Sequence, residues 1–150
     1  MGGDAAPGEI VAGAVAAARD LQVTICLVGP TAVVAEELAR VAGASVPANI
    51  SILDAADVIG MDEAPLAALR RKPLASIKVA AEAVVRGEAD ALYSAGHTGA
   101  TLMAAHAAFG MLPGAERPAL AILIPTLTGQ SVLLDTGATM DCRPEHLRSF

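Results

Sequence analysis

Residues 23–29 read Val-Thr-Ile-Cys-Leu-Val-Gly, a near-continuous apolar run of strand length, and segments with helical spacing lie on both sides of it. A strand that is apolar on both faces has to be covered on both faces, which is the situation inside a parallel sheet. Before the run, Ile10, Ala14, Ala17 and Leu21 repeat at helical spacing over residues 8–21. After it, Val34, Leu38 and Val41 do the same over 31–42, with Gly43 placed as a C-cap and Glu36 and Arg40 as an outer charge pair. Further short strands are expected at 50–54, 90–95, 119–124 and 132–135, the last two buried and separated by a turn at 126–130. A less regular helical stretch ends at Arg70-Arg71-Lys72. The helix expected at 76–86 turns Ile77, Ala80, Ala81 and Val84 inward and carries an outer ladder of Lys78, Glu82 and Arg86. Pro144 opens a last helix. Strands alternating with helices give an α/β fold, a mainly parallel sheet between two helix layers in a three-layer α/β/α arrangement.

Composition narrows what that fold can do. The 150 residues suffice for one domain that buries about two-thirds of its unfolded surface. Hydrophobic residues make up 54% and aromatics only 2%, so the core is built from Ala, Val, Leu and Ile, which lets helices approach the sheet closely. Charged residues, at 17%, fall below the usual quarter and point to additional buried surface such as an oligomer interface. A net charge of −6 excludes the basic face that nucleic acid requires. No apolar run has the length of a membrane span, and Met1-Gly2-Gly3-Asp4 is not the start of a signal peptide. Cys26 and Cys142 form no metal-ligand pattern and read as reduced cytosolic thiols, Cys142 as a small buried one.

The chemistry is expected where the 90–95 run meets Gly96-His97-Thr98-Gly99 and an Ala-rich helical segment follows. Strand, glycine turn and helix together aim backbone N–H groups and the positive end of a helix at an anion. Leu102, His106 and Phe109 share one face of that helix, where His106 reads as a packed residue. Ligands of parallel α/β sheets collect at the carboxyl ends of strands, which here brings forward 94–99, 135–141 and the opening Gly2-Gly3-Asp4. The turn is neither a dinucleotide fingerprint nor a P-loop, and two glycines in a βα turn also serve simply to connect tightly.

Five segments, in order, resemble one family. Met1-Gly2-Gly3-Asp4, the Met61-Asp62-Glu63-Ala64-Pro65 and Ala68-Leu69-Arg70-Arg71-Lys72 pair, the turn at 94–100, Arg117-Pro118-Ala119, and the Leu133-to-Cys142 run are similar to the phosphate acyltransferase family of bacterial phospholipid synthesis (the PlsX family). The departures are His97 and Thr139, each standing where the family usually has Asn. The resemblance implies a fold like that of isocitrate and isopropylmalate dehydrogenases and a homodimer without metal or nicotinamide. It implies transfer of a fatty acyl group from acyl carrier protein to inorganic phosphate. It also implies that the chain is the N-terminal part of one catalytic domain, beginning in a loop and ending in a helix, and inactive alone. A cytoplasmic protein is implied, with a place at the inner membrane face and a membrane-bound glycerol-3-phosphate acyltransferase as a further partner.

In such a reaction phosphate is itself the nucleophile, so the protein must hold an anion and stabilise the oxyanion that forms on the acyl carbon. On the resemblance, His97, Thr98 and Asp135 are the expected catalytic residues. Gly2, Gly3, Asp4, Ser94, Gly96, Gly99, Gly137 and Asp141 are expected around phosphate, the carboxylates orienting other groups rather than facing it. Arg70, Arg71 and Lys72 are expected to meet the acidic carrier protein, although the trio also reads as a helix end complementing its own dipole. A phosphotransacetylase-like enzyme, and an inactive half-domain that dimerises or binds carrier protein, are the alternative readings.

Overall fold

Two strands of the first unit set the frame. β1 (Ile25–Gly29) and β2 (Ile50–Asp54) run parallel, with Ile25 opposite Ile50 and Gly29 opposite Asp54. The computed structural model describes residues 1–21, 23–136, 139 and 141–150. They form two compact units, Met1–Phe109 and Gly110–Phe150.

In the first unit, α1 (Gly8–Asp20) leads into β1, and α2 (Thr31–Ala42) connects β1 to β2. Strand alternation puts Ile25 and Leu27 on the same face as Ile50 and Ile52, and that face packs on Val11 and Val15 of α1 and Val34, Leu38 and Ala42 of α2. Burial of each such side chain contributes about 1.5–3 kcal/mol. Polar groups tie the same elements at their ends. Arg19 donates to the carbonyls of Ala42 and Ser45 at 3.3 and 3.2 Å, occupying an orphan acceptor at the end of α2. Asn49 donates to the carbonyls of Ala18 and Val23 at 2.9 and 2.8 Å. At the other end of α2, Asp54 Oδ1 accepts from the N–H and hydroxyl of Thr31 at 3.0 and 2.6 Å, which lowers the Asp54 carboxyl below its ordinary value.

The helical repeat expected for α1 lies one residue away from the buried stripe. Val11, Val15 and Ala18 are buried, whereas Ile10, Ala14 and Ala17 are half-buried and, with Val11, line a groove of about 1290 Å³. α1 is apolar over a wide arc, so periodicity alone leaves the inward face undecided. On α2 the ion pair is Glu37–Arg40, not Glu36–Arg40.

After β2 come α3 (Pro65–Arg71), α4 (Ser76–Val85) and α5 (Thr98–Phe109). α4 buries Ser76, Val79, Ala81 and Ala83, leaving Ile77, Ala80 and Val84 half-buried, and Arg86 pairs with Glu88 rather than joining a ladder with Lys78 and Glu82. α5 packs on α3 and α4 through Ala100 and Ala104. His106 and Phe109 are exposed, correcting the packed role expected of His106. Residues 90–95 join no ladder among the described residues, so the strand expected there is absent. They line the same groove as the β1 edge that lies opposite β2.

The second unit holds β3 (Ala121–Thr126), β4 (Gly129–Leu134) and α6 (Pro144–Ser149). The two strands form an antiparallel hairpin closed by Leu127 and Thr128, with every strand position exposed. Two buried strands of a mainly parallel sheet were expected here, separated by a turn. A two-residue loop permits only antiparallel pairing, because a parallel return needs a crossover of about a dozen residues. The parallel expectation therefore holds for β1 and β2 and fails for the hairpin.

Candidate functional site

The turn expected to bind an anion is built from three segments of the first unit. Ser94 and Gly96 precede it, and His97 opens α5 by accepting the Thr101 N–H at 2.9 Å. The N–H groups of Thr98, Gly99 and Ala100 come before that first helical bond and so have no helical acceptor. Together with the helix dipole they form the positive corner that the sequence indicated. Gly96 contributes differently from expectation. Its N–H donates to Ser94 Oγ at 3.2 Å, which shapes the turn instead of facing outward. Thr101, not anticipated from sequence, places its hydroxyl 3.2 Å from both Ser94 Oγ and the His97 carbonyl. Its position one helical turn beyond His97 was the available signal, since Thr hydroxyls bond the carbonyl four residues back.

The opening glycines reach the same place. A Cβ on Gly2 would stand 3.0 Å from Gly96 Cα, and one on Gly96 would stand 3.0 Å from Gly2 Cα, so neither position has room for a side chain. Gly3, at φ +114°, lies against the Ala95 carbonyl. The Met1 ammonium donates to the Val28 carbonyl at 3.2 Å, and burial lowers its pKa. Gly2, Gly3, Ser94, Gly96, His97, Thr98 and Gly99 are thus brought together, while Asp4 is exposed at the turn into α1. Tyr93, adjoining Ser94, is 83% exposed.

A third segment supports the turn from the far side. His97 Nε2 lies 3.2 Å from the Glu63 carbonyl oxygen, and Pro65 Cγ sits 3.0 Å from where a Gly99 side chain would begin. Glu63 is itself anchored. Its carboxylate pairs with Lys72, takes the Gly60 N–H at 2.9 Å and lies 3.3 Å from Arg71. Lys72 also donates to the Val58 carbonyl at 2.7 Å. The Lys72 hydrogen bond first, and the Gly60 N–H second, hold the Glu63 carboxyl below its ordinary value. Lys72 and, more loosely, Arg71 are therefore engaged within the fold, and Arg70 is exposed.

In the second unit Asp135 occupies the left-handed region at φ 52°. Its Oδ2 accepts the Thr139 N–H at 3.2 Å and lies 3.7 Å from Cys142 Sγ. Oδ1 is buried, with no partner among the described residues. Asp135 thus orders the backbone at Thr139. Cys142 is exposed, correcting the buried thiol, and its pKa is raised first by desolvation and then by Asp135. A raised thiol is a poorer nucleophile at neutral pH. Asp141 is exposed, and Gly137 lies outside the described residues.

The class of protein so defined is an α/β protein whose glycine turn opens a helix beside an anchored histidine. A family model described as "Fatty acid synthesis protein" matches residues 1–150, and the chain belongs to that family. It is 50% identical over 152 residues to a phosphate acyltransferase of Thermosynechococcus vestitus and 48% identical over 151 residues to one of Heliobacterium modesticaldum. A phosphate acyltransferase of Desulforamulus reducens is 47% identical over 150 residues. The whole chain is covered in each case, and it spans 43% of the first relative and 44% of the other two.

Proposed function

We propose that this chain carries the phosphate-holding part of an acyltransferase that moves a fatty acyl group from acyl carrier protein to inorganic phosphate. The observation that carries the reading is the convergence of Gly2 and Gly3 on Ser94 and Gly96 at the start of α5. In that corner phosphate meets the free N–H groups of Thr98, Gly99 and Ala100, with the hydroxyls of Ser94 and Thr98 beside them. A phosphate oxygen attacks the thioester carbon to form the C–O bond and a tetrahedral oxyanion, which collapses as the C–S bond breaks and the carrier thiolate departs. Donors held in place beforehand stabilise the oxyanion formed in between. The relatives' shared name, phosphate acyltransferase, and the family description support this reaction class.

The groove is not assigned to the acyl chain. One wall is the edge of β1, whose backbone polar groups an alkyl chain would leave unsatisfied. The finer fold, a dehydrogenase-like three-layer sheet, belongs to this reading, as do a homodimer, a cytoplasmic location at the inner membrane face and hand-over to a membrane-bound glycerol-3-phosphate acyltransferase. No helix among the described residues is long and apolar enough to cross a membrane. Arg70 is the member of its trio left for carrier protein, since Lys72 and Arg71 are bound to Glu63. Asp135 and Asp141 act by ordering backbone.

Phosphate titrated into ¹⁵N-labelled protein is expected to shift the amides of residues 96–100 and to leave those of α2 unmoved. Shifts absent there, or spread evenly over the chain, would remove the reading. The 150-residue chain alone is expected to bind phosphate without turning over acyl carrier protein thioester; measured turnover would overturn that expectation.

A further inference from the structure

The open edge of β1 can be followed residue by residue. Ile25 donates its N–H to the Asn49 carbonyl at 2.8 Å, and the Gly29 carbonyl takes the Ala55 N–H at 3.0 Å. The odd-numbered residues of β1 therefore turn their backbone groups toward β2, and alternation turns those of Cys26 and Val28 into the groove of about 1290 Å³. The Met1 ammonium takes the Val28 carbonyl, while the Cys26 N–H, the Cys26 carbonyl and the Val28 N–H have no hydrogen-bond partner among the described residues. The backbone groups of 91–95, which line the same groove, have none either, although exposure alternates there residue by residue as it does along a strand. Met1 touches the β1 edge and Gly2 touches Gly96, so the first two residues lie between the two unpaired rows at one end.

The rest of the wall is apolar, with Ile10, Ala14 and Ala17 from α1 and Ile77 and Ala80 from α4. A peptide strand offers what such a space lacks, polar groups on both edges and side chains on both faces. β1 runs toward Val28 and Met1, and 91–95 runs toward Gly96 and Gly2, so an occupant parallel to one is parallel to both. A residue placed opposite Leu27 would donate to the Cys26 carbonyl and accept the Val28 N–H, and the residue two before it would accept the Cys26 N–H. The occupant then ends at the Met1 ammonium and begins near Glu88 and Asp90, in a groove whose wall holds no Lys or Arg. A second copy related by a two-fold axis would bring its own β1 antiparallel and leave 91–95 unpaired.

We propose that this groove is a strand-addition site for one extended apolar peptide, parallel to β1, whose free carboxylate meets the Met1 ammonium and whose edges pair with β1 and with 91–95. The same occupant accounts for two departures from the sequence expectation. It makes a strand of 91–95, and it covers the half-buried Ile10, Ala14 and Ala17. The site does not depend on the phosphate reading.

The probe is the synthetic hexapeptide Lys-Thr-Val-Ala-Val-Ala with a free carboxylate, added to ¹⁵N-labelled chain. Exchange of the Cys26 and Val28 amides and of alternate amides within 91–95 is expected to slow at least about tenfold, with Ile25 and Leu27 unchanged because β2 already holds them. No slowing at Cys26 and Val28 overturns the proposal. A nitroxide at the amino end of the peptide is expected to broaden the Glu88 and Asp90 amides; broadening at Gly2 and Gly3 instead means antiparallel seating and overturns it. Amidation of the carboxylate is expected to weaken binding about fivefold, and equal binding removes the pairing with Met1. The chain with the same six residues joined ahead of Met1 is expected to show the protection unaided and to bind no peptide. Protection that rises with protein concentration alone assigns the edge to a second copy, and displacement of the peptide by decanoate assigns the groove to an alkyl chain; either result overturns the proposal.

Discussion

The first unit and the hairpin of the second are made from similar apolar runs, yet their environments are opposite. Leu27 in β1 is buried between α1 and α2, whereas Leu123 in β3 is 66% exposed and its strand has no buried position. The difference teaches that hydrophobicity marks a segment as strand-like without naming what covers it. Connection length does more. The helix between β1 and β2 both fixes their direction and supplies a cover, and the two residues between β3 and β4 fix the opposite direction and supply none.

Substitutions can break this contrast or sharpen it. Leu27→Ala is expected to destabilise the chain most, by about 2–5 kcal/mol, read as a lower urea midpoint at constant slope. A loss below about 1 kcal/mol would mean that the face shared by α1, α2 and β1 is not the core. Gly96→Ala places a methyl against the Gly2 backbone and is expected to cost about 1–3 kcal/mol while abolishing the phosphate-induced amide shifts. Unchanged phosphate shifts in that variant would separate the glycine contact from binding.

Acid should act on the Glu63 anchor next. The folded-state pKa of Glu63 is lowered, so its contribution is present above the ordinary glutamate range and is lost as pH falls through the lowered value. Lys72 and Arg71 are then released from the Glu63 carboxylate. Side-chain NMR of Glu63 and Lys72 would follow this; a Glu63 titrating at its ordinary value would refute the anchor. Leu123→Ala should have the smallest effect, within about 0.5 kcal/mol, because little of the side chain is covered. A large loss there would show that the hairpin is covered in solution.

Much of this was legible in the residues. The extents of α2 and β2 followed from apolar spacing, and Gly43, at φ +65°, ends α2 as its position predicted. The corner around Ser94 and Gly96 was legible as a glycine turn before an Ala-rich helix. Its contact with Gly2 was legible only as a shared rim of the fold, because closeness across that span of chain has no local signature. Glu63 was seen only as part of a motif. Its bond to His97 uses a main-chain oxygen, which any residue type would offer, so no side-chain pattern announces it. The face of α1 was misjudged because an apolar helix with two neighbours has two candidate stripes.

The near-absence of aromatic residues leaves one practical gift. With no Trp and a single Tyr, the ultraviolet emission of this chain arises almost wholly from Tyr93, whose ring stands in solvent next to Ser94. Unfolding should barely alter that light, since the ring is already wet. Events at the glycine corner should alter it first, giving a label-free optical reporter at the one place where reporting is wanted.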